Sequence, residues 1–397
     1  MSYSQDIFWN NIPYTKNRSY KKMGFLSDNL EKYSFLKDIQ NPYYIWTGTG
    51  RIHSLENLQL NSKIKNKLQK KEVYFYLYEP LCARIGTHNR TFYSEFNSED
   101  SLKNIIVDEF ESIRIFAKNH NLINFKIFTC DYNIQLIQEN YPDLKIFCLD
   151  TFIRSFSNSY KKILEIDNTI TKKFWCGNWR YTLHRHLIMS YISALDGTYT
   201  WNLKCSFEQV PSNNWFDLDK FYQDYPDRYR QLEKGADYLY HNILSIDQNI
   251  TAASVNNIVE VCIPGSGAPA GNQQFLHSYK NNFCAIVNET RYAQPFGNFS
   301  EKTLTAVWSK IPFILVAPPH TLKYLKTFGF KTFSNWWDES YDSEEDHYKR
   351  MIKIFDLIDY INLKSLDELK LIYAEMFDIL EHNKEILKNL SFNNAAL

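Results

Sequence analysis

Between residues 283 and 333 the hydrophobic pattern changes period four times. Residues 283–287 are a short apolar run of strand formers and predict a buried strand. A loop follows, carrying Glu289, Arg291 and Tyr292. Ser300 is a good N-cap, Glu301 falls in the first turn where a carboxylate suits the helix dipole, and Leu304, Val307, Trp308 and Ile311 share one helical face. Pro312 ends that helix, and residues 313–317 predict the next strand. Pro318-Pro319 breaks it, Thr321 opens a second helix and Gly329 stops it. Strand, loop, helix, strand, helix is the unit of an open parallel sheet.

The same alternation appears upstream. Residues 73–78 (VYFYLY) predict a strand ending at Glu79-Pro80. Residues 101–118 predict a helix with Ile105, Ile106, Phe110, Ile113 and Phe116 inside. Strands are expected at 125–129, closing on Cys130-Asp131, and at 144–149, closing on Asp150, with a short helix at 133–141 between them. A second unit begins with a strand at 172–176, a loop from Gly177 to Arg180, and a helix at 181–195 carrying His184, Arg185 and His186. A hinge is expected near 160–171. Further strands are expected at 201–207 and 257–263, the latter leading into the Gly-rich loop 264–271. Polar, aromatic helices run to about residue 246, and helices at 344–360 and 365–390 close the chain. Residues 1–60 hold many aromatics without a period and read as irregular structure with short elements.

Composition narrows this picture. The chain has 397 residues, enough for two domains, and 44% hydrophobic residues, enough for packed cores. Lys+Arg and Asp+Glu are equal at 45 each, which weighs against a generic polyanion partner. Five lysines fall in residues 62–72, either a basic patch or a solvated helix face. The seven cysteines are odd in number, include no C-x-x-C and sit mostly in apolar runs, as reduced thiols in a cytoplasm would. Neither a signal peptide nor an apolar run of spanning length is seen, so the expected location is a bacterial or virus-infected cytoplasm.

Metal chemistry has no signature: the ten histidines form no H-E-x-x-H and pair with no cysteine at zinc spacing. Asp217-Leu218-Asp219 matches a D-x-D clamp but reads better as a helix start. No G-x-S-x-G is present, and Gly265-Ser266-Gly267 is neither a P-loop nor a dinucleotide fingerprint, although its glycines permit close approach to a phosphate. The candidates are Asn178, Arg185, Glu289, Glu301 and Lys302, all expected on loops or helix starts that follow strands of one sheet. A helix N-terminus with an adjacent lysine suits a diphosphate, an arginine forks to phosphate oxygens, and a carboxylate can take ribose hydroxyls. Taken singly, each is more often a surface ion-pair member, and Glu301 a cap carboxylate; together they describe a nucleotide-diphosphate pocket.

Residues 283–333, with Trp336-Trp337-Asp338-Glu339-Ser340-Tyr341-Asp342, resemble a family of glycosyltransferases common in phages and some bacteria. The matching features are a stretch ending in Ser300-Glu301-Lys302-Thr303, a Pro-Phe-Ile strand, a Gly-Phe-x-Thr-Phe turn and the Asp-Glu-Ser-Tyr-Asp box. Residues 173–187 (KFWCGNWRYTLHRHL) resemble that family's earlier box. More distantly, both are similar to inverting fucosyltransferases of the GT-B type. Asn288-Glu289-Thr290 departs from the Phe-Glu-Asn of that pattern. The resemblance implies an α/β fold of two facing Rossmann-like domains. These are an acceptor-side domain at 1–165 and a nucleotide-sugar domain at 166–360, with a C-terminal helix at 361–397 packing back on the body.

It further implies a nucleotide-diphosphate sugar as donor substrate, no cofactor and no metal. Arg185 and Lys302 would hold the diphosphate, with Asn178 beside them. Glu301 would hold the ribose, Glu289 would support the donor loop, and Tyr292 is a candidate for stacking on the base. Glu79 is the candidate general base, with Asp131 and Asp150 in reserve. The acceptor would be a glycan, a lipid-linked sugar or a hydroxylated base in phage DNA, the last kept open by residues 62–71 and by Arg228 and Arg230. The alternative is a non-catalytic binding or virion-associated protein on the same fold. An epimerase fits poorly, since no early G-x-G-x-x-G is present.

Overall fold

The computed structural model describes residues 8–9, 43–46, 66, 69, 73–77, 110–111, 113–129, 138–139, 141–148, 168–178, 182–195, 199–203, 215–249, 279–289, 291–293 and 300–390. Two compact units are present. One is Met1–Thr151 with Phe296–Asn298 and Phe392–Leu397; the other is Phe152–Pro295 with Phe299–Ser391.

The first unit is built on a five-stranded sheet in the order β1-β2-β3-β4-β5, with every pairing parallel. Its strands are β1 (Phe8–Trp9), β2 (Tyr43–Trp46), β3 (Val73–Leu77), β4 (Phe125–Thr129) and β5 (Ile146–Cys148). β3 and β4 fall where the apolar runs predict them. β1 and β2 are short elements of the kind expected in residues 1–60, and they supply strands to the sheet. Strands of a parallel sheet are covered on both faces and carry no alternation by which to recognise them. Phe110, Ile113 and Phe116, on the helical stretch before β4, are fully buried. Asn66 and Gln69 are helical, and the Gln69 amide donates to the His120 carbonyl at 2.9 Å, so the lysine-rich segment contains helix.

The second unit carries a four-stranded parallel sheet in the order β7-β6-β8-β9. Its strands are β6 (Lys172–Asn178), β7 (Tyr199–Leu203), β8 (Asn282–Asn288) and β9 (Phe313–Val316). β7 begins two residues before the expected 201–207 and overlaps it through Leu203. Every residue of β8, which has a strand on each side, and of β9, which ends the order, is buried. The helices are α1 (Leu183–Ser193), α2 (Leu218–Asp224), α3 (Pro226–Asn249), α4 (Glu301–Trp308), α5 (Thr321–Thr327), α6 (His347–Asn362) and α7 (Leu366–Asn389).

Local signals set the helix ends. Ser300 caps α4 by accepting from the Lys302 N–H. Asp217 caps α2 by accepting from the Lys220 N–H, so Asp217-Leu218-Asp219 is a helix start. Gly329 follows α5 at φ +89°, where a side chain would be strained. Gly235 lets α3 approach α1: a Cβ there would lie 1.7 Å from the Ser190 carbonyl oxygen. Ser365 and Glu368 form a capping box that opens α7, which packs along α4. Among the described residues no helix is long and apolar enough to cross a membrane.

The Asp-Glu-Ser-Tyr-Asp box is a brace. Glu339 accepts from the Phe333 N–H (2.7 Å) and the Thr332 hydroxyl (2.6 Å). The Tyr341 hydroxyl accepts from the Leu315 N–H in β9 (3.3 Å). Asp342 accepts from the N–H groups of Leu322 (2.7 Å) and Lys323 (3.1 Å), capping the first turn of α5. The box thus fixes the segment after β9.

Candidate functional site

Parallel α/β sheets bind ligands outside the carboxyl ends of their strands. In the second unit β6 ends at Asn178 and β8 at Asn288, on neighbouring strands in parallel register. Glu289 follows β8 and is 2% exposed. Its N–H donates to the Val316 carbonyl at the end of β9 (3.0 Å). Its own carbonyl accepts from His184 Nε2 (3.0 Å) and Arg185 Nη2 (3.1 Å), both in the first turn of α1. Its Oε1 accepts from the Ser300 N–H (3.0 Å) and the Thr303 hydroxyl (2.5 Å), at the start of α4. One residue therefore ties two strand ends to two helix starts.

Cations gather at this point. Arg185 is 2% exposed, and its Nη2 also reaches the Asn288 carbonyl at 3.4 Å. Lys302 donates from Nζ to the Ser300 hydroxyl oxygen (3.1 Å). Arg350, 1% exposed, comes from α6: its Nη2 donates to the Tyr292 carbonyl (2.5 Å) and to His347 Nδ1 (3.2 Å), and its Nη1 to the Glu344 carbonyl (2.7 Å). His184 registers their sum. Its pKa is pushed down to about 3, first by burial and then by Arg185, with Arg350 and Lys302 adding to the effect and only the bond to Glu289 opposing it. A neutral His184 carries its proton on Nε2, facing the carbonyl, and Nδ1 accepts from the Thr182 hydroxyl (3.2 Å).

No protein-family model matches the chain, and no curated protein does. Among solved structures it is similar to the DNA modifying enzyme beta-glucosyltransferase, at 8% identity and a TM-score of 0.38 over 97% of this chain and 95% of that one. A complex of the T4 phage enzyme with UDP-glucose gives 8% and 0.39 over the same shares. The N-terminal domain of Candida albicans trehalose-6-phosphate phosphatase gives 11% and 0.36, over 96% of this chain and 76% of that one. Likeness at these scores decides neither activity nor substrate, and the site is read from its own geometry.

Of the residues singled out in sequence, Asn178, Arg185, Glu289 and Lys302 come together at these strand ends. Glu301 opens α4 in the same place, and its backbone alone is described. Tyr292 is enclosed: it is 1% exposed, its hydroxyl donates to the His347 carbonyl (2.9 Å), and the Arg350 guanidinium lies 4.4 Å from its ring centroid. Trp215 and His184 flank it at 4.8 and 5.7 Å between ring centroids. A base stacked on Tyr292 would have to displace one of these partners. Glu79, Asp131, Asp150, the expected strand 257–263 and the Gly-rich loop lie outside the described residues. Arg228 pairs with Asp356 (2.6 Å) and Asp359 (3.0 Å), and Arg230 with Asp227 (2.9 Å), so both arginines have carboxylate partners. Among the described residues, no group of three or more His, Cys, Asp or Glu could hold a metal ion.

Two residues of this site were missed in the sequence. Asn288 reads as the polar end of an apolar run, and Arg350 as one charge on an amphipathic helix. A signal existed only for Asn288, in its place beside Asn178 once β6 and β8 are neighbours.

Proposed function

We propose that the second unit binds a nucleotide-diphosphate sugar and that the protein is a glycosyltransferase of the GT-B type, inverting and independent of metal. The observation that supports this is the convergence of Arg185, Lys302 and Arg350 on His184 at the end of β8, in a chain whose net charge is +0. Local positive charge in a protein of balanced composition marks a place for an anion. In transfer, negative charge grows on the leaving diphosphate, and fixed cations beside a helix start stabilise it without reorganisation. Lys302 at the start of α4 is assigned to direct contact, while Arg185 holds the β8 carbonyls and contributes its charge from behind them. Glu289 keeps α4 and β8 in register, Glu301 is assigned to the ribose, and Tyr292 positions Arg350. Asn178 lines the end of β6.

Inverting transfer also needs one carboxylate to deprotonate the acceptor hydroxyl as it attacks the anomeric carbon. Glu79, two residues after β3, is assigned that role. The acceptor is a glycan or a hydroxylated DNA base. A thermal-shift screen with ADP, CDP, GDP, UDP and their common hexose conjugates tests the donor site, because a ligand of the folded state alone raises its stability. At least one should raise the melting temperature, and Lys302→Ala should weaken its binding about tenfold, or 1.4 kcal/mol. No shift with any of them overturns the reading. Glu79→Gln should lower turnover at least a hundredfold with donor binding unchanged; full turnover would remove Glu79 from the mechanism. Donor binding with no transfer and no donor hydrolysis would return the non-catalytic alternative.

A further inference from the structure

The ends of β6 and β8 present buried oxygens with nothing to accept. Asn178 is 4% exposed, Asn288 0% and Glu289 2%. Asn178 Oδ1, Asn288 Oδ1 and Glu289 Oε2 have no hydrogen-bond partner among the described residues. The two amides are held in one sense. Asn178 Nδ2 donates to Cys176 Sγ at 3.4 Å and Asn288 Nδ2 to the same sulfur at 3.2 Å. With both nitrogens turned to the thiol, both oxygens turn away from it. Glu289 also keeps one oxygen unused, since Oε1 is fixed by Ser300 and Thr303 and Oε2 is left over.

A buried acceptor without a donor is costly, and three fall together on adjacent residues of one sheet end. Their chemistry is one-sided. A phosphate offers only acceptors and would be repelled by them; the cations beside them suit it instead. Hydroxyl groups are the matching donors, and a sugar ring carries them in adjacent pairs.

We propose that Asn288, with Asn178 and the second carboxylate oxygen of Glu289, is a specificity-determining edge that accepts hydrogen bonds from neighbouring hydroxyls of the bound ligand. The inference rests on the donor-site reading above. The hydroxyls belong to the ribose or to the transferred sugar, and both offer the same chemistry. A site built to bond a hydroxyl discriminates strongly against the analogue that lacks it, because its own polar groups are then left unpaired.

The experiment is titration calorimetry with whichever of ADP, CDP, GDP or UDP binds, with its 2′-deoxy and 3′-deoxy forms, and with its glucose and deoxyglucose conjugates. The wild-type protein should prefer the hydroxylated member of one pair at least tenfold. Loss at the nucleotide identifies the ribose; loss only at the conjugate identifies the sugar. Asn288→Ala should reduce that preference below threefold, and Asn178→Ala provides the same readout should the first variant fail to fold. Cys176→Ala keeps the three oxygens on the protein but removes the sulfur that orients the amides, and should lower the preference to an intermediate value of about fivefold. Binding without any preference, or a preference that survives in both asparagine variants, overturns the inference and leaves the donor site standing. Absence of binding by every nucleotide and conjugate overturns both.

Discussion

Glu289 is a buried and Glu339 a largely buried glutamate of one unit, and each accepts from one backbone N–H and one threonine hydroxyl. They differ in how the two oxygens are used. Glu339 receives Phe333 N–H on Oε1 and Thr332 on Oε2, with Lys326 Nζ 3.9 Å from Oε2, so both oxygens are occupied. Glu289 takes both donors on Oε1 and has none on Oε2 among the described residues. A saturated carboxylate is finished by the fold. A half-saturated one has capacity that the fold alone does not use.

The most severe way to sharpen this contrast is to remove both side chains. Glu289→Ala and Glu339→Ala each strand a buried N–H and a hydroxyl, and each should cost about 3 kcal/mol in urea unfolding. Equal losses would show that the two are structurally equivalent, so that any difference in ligand binding comes from the spare oxygen. Acid is the next probe, because His184 bonds the Glu289 carbonyl and, among the described residues, no histidine bonds Glu339. An unfolded histidine takes its proton near pH 6.5, and His184 resists until about pH 3. The folded state therefore binds fewer protons in that window, and stability falls as pH drops. Between pH 6.5 and 5 the loss from His184 should reach about 1.6 kcal/mol, His186, which burial pushes down to about 4, should add a similar amount, and His184→Gln should remove about half of the total.

A smaller change tests the spare oxygen alone. Glu289→Gln, with its amide oxygen at the Oε1 position, turns an acceptor into a donor and should weaken nucleotide binding about tenfold with little loss of stability. Glu339→Gln should leave binding unaltered. Smallest is the cap comparison: Ser300→Ala and Ser365→Ala should each cost about 1 kcal/mol, with binding weakened only by the first, which sits under Lys302.

Much of this was legible because short-range signals carry it. Ser300, Asp217, Pro312 and Gly329 place helix ends through caps and backbone restrictions that need no tertiary context. Asn178, Arg185, Glu289 and Lys302 were found because each follows a strand of one sheet. β1 and β2 were not placed, since two to four residues of strand are too few to show a period. Arg350 was invisible for another reason: its partners Tyr292 and Glu344 lie on a distant loop and at the preceding helix boundary. The boxes that carry the family resemblance divide on inspection. The Ser300–Thr303 stretch meets the site, and the Asp338–Asp342 stretch braces the sheet behind it.

Cys176, buried between the two amides, has a practical consequence. Burial pushes its thiol up to about 12, against the opposing pull of Asn178, Asn288 and Arg185. Only a thiolate attacks an alkylating reagent, so in the closed protein this sulfur is silent. It becomes reactive when the end of β6 parts from the end of β8, at a rate set by the free energy of that opening. Peptide-resolved alkylation at position 176 thus provides a clock built into the sheet, timing how often these strand ends separate and how far an occupant holds them shut.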